Sequence, residues 1–259
     1  MSQPELYVFA ISHYCEKARW ALDHFGIEYT LRHLAPGAHR EIATGLGAAG
    51  SSLPILVSGD DVIQGSAAIL RWAESASGNL EKSLRPQPDL EQDCLAVERR
   101  LDDVAGVHAR RFYYSEALVE HPESVKPIFR NDLEGSEQSR LDEHWPLICE
   151  VMASAMDLGP EQGEDSRRIL EQELDWLDAR LVDGRPHLVG DRLSRADLTA
   201  ASLLAVLALP AEHPTYSRLE IPPRVREQLA RWAERPTVAW VRRTYRDHRP
   251  RATTVADSR

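Results

Sequence analysis

Leu6-Tyr7-Val8-Phe9-Ala10, followed at once by Ser12-His13-Tyr14-Cys15, is the stretch on which the fold turns. The first five residues read as an apolar strand. From Tyr14 onward Ala18, Ala21, Leu22 and Phe25 recur at helical spacing. Between strand and helix stand a hydroxyl, Ser12, and a thiol, Cys15. They face the unpaired N–H groups and the positive dipole end of a helix start. Such a corner stabilises a thiolate, whether the protein's own or a bound ligand's.

Working outward, Gly26 ends the helix, and residues 28–34 alternate as a half-buried strand. A short helix over 39–44 leads into a Gly/Ala/Ser loop. Two strands follow, Pro54-Ile55-Leu56-Val57 and Asp61-Val62-Ile63, joined by Ser58-Gly59-Asp60 as a hairpin turn. Ser66 then opens a helix through Ala73. The order β-α-β-α-β-β-α describes a small mixed sheet covered by helices. A proline-bearing, mixed-charge linker comes next, and beyond it the pattern is helical: 90–118, 139–156, 166–181, 195–207, 223–234 and 237–247. The polar stretch 120–138 carries at most a short helix near 125–130. The reading is therefore two domains, 1–78 and 89–259, with 79–88 as the linker.

The chain has 259 residues, 31 Lys and Arg against 41 Asp and Glu, and a net charge of −10. That balance argues against a nucleic-acid or anionic-membrane surface. The arginines of 242–246 read as a solvated last helical turn. No apolar run reaches membrane-spanning length, and the N-terminus lacks the signature of a signal peptide, so a cytoplasmic location is expected. Three scattered cysteines, an odd number, do not make a disulfide framework. Ten dispersed histidines and the absence of H-E-x-x-H or C-x-x-C point to no metal. Gly45-Leu46-Gly47-Ala48-Ala49-Gly50 matches the dinucleotide fingerprint literally. A helix precedes it and a strand follows, the reverse of what the fingerprint needs, so no nucleotide is expected.

Four matches in order carry a resemblance over nearly the whole chain. They are Ser12-His13-Tyr14-Cys15 before a helix, Leu53-Pro54-Ile55-Leu56, Ser66 followed by Ile69-Leu70, and Leu188 through Leu198 with Gly190-Asp191 and Ser194-Arg195-Ala196-Asp197. Together they resemble the cytosolic glutathione transferase family. The resemblance implies a thioredoxin-like α+β domain followed by an all-helical domain. It also implies glutathione as cosubstrate, a small electrophile as second substrate, and a homodimer. In the family, the hydroxyl at the position of Ser12 donates to glutathione sulfur. The proline matching Pro54 is cis, and the residue matching Leu53 offers backbone groups to the tripeptide, in the manner of strand addition. Ser66 falls where the γ-glutamyl carboxylate binds a helix N-terminus, though a serine there also serves as a plain N-cap. The family carries an acidic residue or glutamine before that serine. Here Gly65 holds that place, with Gln64 one position earlier. For the glycyl carboxylate His39 and Arg40 are the candidates, Arg40 preferred for its bidentate fork.

Three functions stay open at this point. One is conjugation through Ser12. A second is glutathione-dependent thiol–disulfide exchange through Cys15, whose plainer reading is a small buried packing residue. The third is a non-catalytic binding protein, for which Gly65 speaks. Tyr14 reads as a pocket wall. Tyr113 and Tyr114 are candidates for an electrophile-binding wall, although aromatics so spaced are more often core. Ser194-Arg195-Ala196-Asp197, flanked by Leu193 and Leu198, reads as a capping box with a hydrophobic staple, a folding device.

Overall fold

The computed structural model describes residues 3–250, which fall into two compact units. The first holds residues 3–83, 128–144 and 249–250, and the second holds 84–127 and 145–248. The first unit is thus discontinuous in sequence.

That first unit is built on β1 (Glu5–Val8), β2 (Thr30–His33), β3 (Ile55–Ser58) and β4 (Asp61–Gln64). The strands lie in the order β2-β1-β3-β4, with β1 and β2 parallel and the other pairings antiparallel. Helices α1 (His13–Phe25), α2 (His39–Gly45) and α3 (Ser66–Ser77) interleave with them, giving the expected β-α-β-α-β-β-α order. Alternation puts Leu6 and Val8 of β1 in the interior, beside Ile55 and Leu56 of β3. Helices α1 and α3 pack on each other, and Ala18, Ala21, Leu22, Ile69, Leu70 and Ala73 are all without solvent contact. Each such leucine or isoleucine contributes about 1.5–3 kcal/mol. Helix α1 stops at Gly26, whose φ of 69° suits a residue without a side chain. The Gly26 and Ile27 N–H groups close the helix by donating to the Asp23 and Leu22 carbonyls. The Ser58–Asp61 pairing leaves Gly59 and Asp60 as a two-residue hairpin turn.

Beyond the sheet, α4 (Glu91–Arg100) runs through a π turn at Leu101–Ala105 into α5 (Gly106–Ala117), where one unbroken helix was expected. Helices α6 (Pro122–Arg130) and α7 (Gly135–Met156) each start in one unit and end in the other. Next come α8 (Pro160–Arg180), α9 (Arg195–Ala208), α10 (Pro223–Trp232) and α11 (Pro236–His248). Helix α8 starts earlier than its apolar spacing suggests, because Pro160 fits the first helical turn, where its missing N–H has no partner to lose. Within the second unit α9 is central: all 14 of its residues are buried, and α4, α5, α10 and α11 pack on it. Helices α5 and α8 cross closely at Gly163, where a Cβ would lie 2.8 Å from Ser115 Cβ. Among the described residues no helix is long and apolar enough to cross a membrane.

Candidate functional site

Strand register gathers the candidates of the first unit at one end of the sheet. Tyr7 pairs with Ile55, so Leu53 and Pro54 continue that pairing alongside the end of β1. Ile55 pairs with Gln64, and the Gly65 N–H donates to the Pro54 carbonyl at 2.9 Å, which brings Ser66 to the same edge. Val8 pairs with His33 in parallel, and Leu34 N–H donates to the Val8 carbonyl. The chain therefore leaves β2 for α2 at this end too. The turn after β1, the residues before β3, the start of α3 and the approach to α2 all meet there.

Ser12 is the N-cap of α1, half-exposed, and its Oγ accepts from the Cys15 N–H at 3.3 Å. Its own N–H donates to the Phe9 carbonyl at 3.1 Å. The Ser12 side chain also hydrogen-bonds the Cys15 thiol, a contact that favours the thiolate. Cys15, one turn in, is 1% exposed. Burial pushes its thiol up to about 11, outweighing the hydrogen bond to Ser12. Tyr14 is half-exposed, with its ring 4.5 Å from that of His13.

The Leu53–Pro54 peptide is cis. Gly65 has φ 94°, in the region that favours glycine, and its carbonyl accepts the first bond of α3, from Ile69. Ser66 is buried at the first position of α3, and its hydroxyl has no hydrogen-bond partner among the described residues. Gln64 points elsewhere. Its amide accepts from Gly50 N–H at 3.0 Å and donates to the Gly50 and Ser52 carbonyls at 2.7 and 2.8 Å. It is a strap on the loop that leads into Leu53, which sequence proximity to Ser66 alone did not reveal. Arg40 is exposed in the first turn of α2, without an ion pair among the described residues. Neighbouring His39 instead turns its ring edge-on to Phe9, at 4.9 Å, and its Nδ1 accepts from Gly37 N–H. Burial and the Arg40 charge hold this imidazole below its ordinary range, so it is neutral at pH 7.

Two features of this unit had no signal in sequence. Phe129, 3% exposed, sets its ring edge-on to Phe9 with centroids 6.0 Å apart. Arg249 reaches α1, donating to Glu16 and Asp23 at 2.7 Å each and lying 5.7 Å over the Trp20 ring. The three charged side chains are at most 2% exposed. Both contacts join residues more than a hundred positions apart, which no local pattern encodes.

Residues 6–81 match the model of the glutathione S-transferase N-terminal domain, and residues 144–235 match that of its C-terminal domain. The chain belongs to the glutathione S-transferase family. No curated protein matches it. Solved structures share the transferase fold at low identity. A glutathione transferase from Phanerochaete chrysosporium is 17% identical with TM-score 0.61, over 95% of this chain and 97% of its own. The beta-etherase LigF from Sphingobium is 16% identical with TM-score 0.60, over 93% and 98%. A glutathione S-transferase from Sinorhizobium meliloti is 21% identical with TM-score 0.54, over 96% of each.

In the second unit, Tyr113 is 2% exposed and donates its hydroxyl to the Glu220 carbonyl at 3.1 Å, with Tyr114 packed edge-on beside it. Burial raises the Tyr113 phenol further above neutrality. The capping box is formed. Asp197 accepts from Ser194 N–H at 2.8 Å, Ser194 Oγ–H at 2.6 Å and Leu188 N–H at 2.6 Å. Burial raises the Asp197 carboxyl to about 6 in spite of those bonds. Gly45 to Gly50 sits between α2 and β3, not between a strand and a following helix. Among the described residues no group of three or more His, Cys, Asp or Glu could hold a metal.

Proposed function

We propose that this transferase binds glutathione at the end of its sheet and activates the sulfur through Ser12 for attack on a small electrophile. The observation that supports the reading is the Ser12 hydroxyl: half-exposed, at the N-terminus of α1, and placed where its hydrogen bond already favours a thiolate at the neighbouring Cys15. A free thiol has a pKa of about 8.5, and lowering it by about two units takes roughly 2.7 kcal/mol. A hydrogen bond to a charged acceptor gives about 1.5–3 kcal/mol and a helix end a further 0.3–1. Those two sources suffice. The thiol proton leaves to solvent, Ser12 Oγ–H donates to the thiolate, and the sulfur lone pair forms the new bond to the electrophile as its leaving group departs with the bonding pair or its π bond opens.

The remaining glutathione contacts follow the same edge. Leu53 presents its backbone to the cysteinyl part. The α3 N-terminus with Ser66 takes the γ-glutamyl carboxylate, Gly65 lets the chain turn there, and Arg40 takes the glycyl carboxylate. Gln64 acts one step back, by holding the loop before Leu53. Tyr14 flanks the sulfur site. Cys15 chemistry is disfavoured by its burial and raised pKa, since the thiolate is the reactive form. In keeping with the family, we further propose a homodimer in the cytoplasm.

Calorimetry with glutathione and conjugation assays test the proposal. Ser12→Ala should lower conjugation by about 100-fold, the equivalent of about 2.7 kcal/mol. Cys15→Ser should leave it within about three-fold, below 1 kcal/mol. Loss of activity with Cys15→Ser alone would transfer the chemistry to the thiol, and no glutathione binding would make the chain a non-catalytic relative.

A further inference from the structure

The second unit carries a groove of about 400 Å³ between α5, α8 and α10, and every residue lining it belongs to that unit. Phe112 and Val225 give it an apolar lining, and Pro160 and Gly163 supply the α8 side. The volume lies in the range of small-molecule sites. What a ligand would need is decided by the polar groups.

Most of those groups are already engaged. The buried Glu116 carboxylate accepts from the Arg224 N–H at 3.0 Å and the Val225 N–H at 2.8 Å, and so caps the start of α10. Ser115 Oγ accepts from the Gly159 N–H at 3.3 Å. The rim holds three arginines and three glutamates, and each arginine has a carboxylate partner. Arg167 pairs with Glu164 at 2.7 Å, Arg231 with Glu227 at 2.6 Å, and Arg224 with Glu120. The groove therefore offers a ligand no unmatched charge.

Gln228 is different. It stands on α10 one turn after Arg224, lines the groove and is 7% exposed. Among the described residues its side-chain amide has no hydrogen-bond partner. Gln64, the strap of the first unit, makes three such bonds with the same group. Buried polar groups are ordinarily paired, and one left unpaired beside a cavity needs a partner from outside the chain. An amide offers N–H donors beside a carbonyl acceptor. Its complement carries an acceptor and a donor side by side, as a carboxamide or lactam does.

We propose that this groove binds a small neutral ring compound with a carboxamide or lactam edge. Two hydrogen bonds to Gln228 hold the edge, and the ring lies against Phe112 and Val225. The site shares no residue with the glutathione contacts proposed above and does not depend on them.

Benzamide is the probe, titrated into the full chain and followed by the side-chain amide resonance of Gln228, assigned by its loss in Gln228→Leu. The resonance should shift saturably in the millimolar range, as suits so small a ligand. Acetophenone keeps the ring and the carbonyl but has no N–H, and should bind at least about ten-fold more weakly. Gln228→Leu should weaken benzamide by about ten-fold or more. It should also raise the melting temperature by about 2 °C or more, because an unpaired buried amide has been removed. If the leucine variant folds poorly, Gln228→Met should give the same pair of effects. Saturating glutathione should leave benzamide affinity unchanged. A fall in stability in both variants would show that the amide is paired within the fold, and would overturn the site. No saturable shift, equal binding of acetophenone, or displacement of benzamide by glutathione would overturn it as well. Absence of glutathione binding falls on the functional reading alone, and the benzamide titration still decides this one.

Discussion

Helices α1 and α9 each begin at a serine, and the residue three places on decides what that serine does. In α9 that residue is Asp197, which accepts both the N–H and the hydroxyl of Ser194; both side chains are fully buried and every bond is closed. In α1 it is Cys15, whose thiol cannot return the favour as a carboxylate would, and the Ser12 N–H turns to Phe9 instead. Ser12 keeps a long 3.3 Å contact to the Cys15 N–H and a half-exposed hydroxyl. The same local device is a folding element when its third position is acidic and buried. It is a candidate site when that position is a thiol and the hydroxyl meets water.

The contrast is most exposed to failure at Asp197. Asp197→Ala strips three buried donors of their acceptor, and at about 1–3 kcal/mol for each the loss should be about 3 kcal/mol or more. Urea unfolding measures it, and glutathione affinity of the folded variant should not change. A loss under about 1 kcal/mol would erase the distinction between the two helix starts. A sharper version uses pH. Unfolded Asp197 titrates near 3.9 and the folded carboxyl near 6. Between those values the native state holds a proton that the unfolded state has released, so this contribution is full below pH 4 and is lost as pH rises through 6. The whole span is at most about 3 kcal/mol. Asp197→Asn carries no such titration, so the wild type should lose stability relative to it between pH 4 and 7. Parallel profiles would show that burial does not govern the group. The smallest effect separates the serines themselves. Ser194→Ala should cost about 1 kcal/mol, and Ser12→Ala only a few tenths, since its cap bond is long and half-exposed. Thermal melts that reverse this order, or leave Ser194→Ala unchanged, would break the comparison.

Most of the fold was legible because its signals are local. The period of two in β1, the period of 3.6 in α1 and the stop at Gly26 each lie within one element. The capping box was legible for the same reason. Helix ends were less so: the polar first turns of α7 and α8 carry no apolar stripe, and their starts at Gly135 and Pro160 rest on backbone geometry. At the site, Ser12, Leu53-Pro54 and Ser66 could be placed because each adjoins a strand end that register then brings together. Gln64 shows the limit. Its position was readable, but that its amide faces the 50–52 loop depends on the path of a loop without period. The Phe9–Phe129 contact and the Arg249 cluster lay beyond reach, because sequence pattern carries no record of which distant segments return to a sheet.

The Arg249 cluster bears on the order in which the protein is made. Arg249 lies 233 residues after Glu16 and 226 after Asp23, yet it donates to both, and all three side chains are at most 2% exposed. Domains ordinarily fold as they emerge, the N-terminal one first. Here two buried carboxylates of α1 gain the Arg249 contact only once residue 249 has been synthesised. A helix formed from the first residues of the chain thus completes its buried contacts only when a residue more than two hundred positions later arrives.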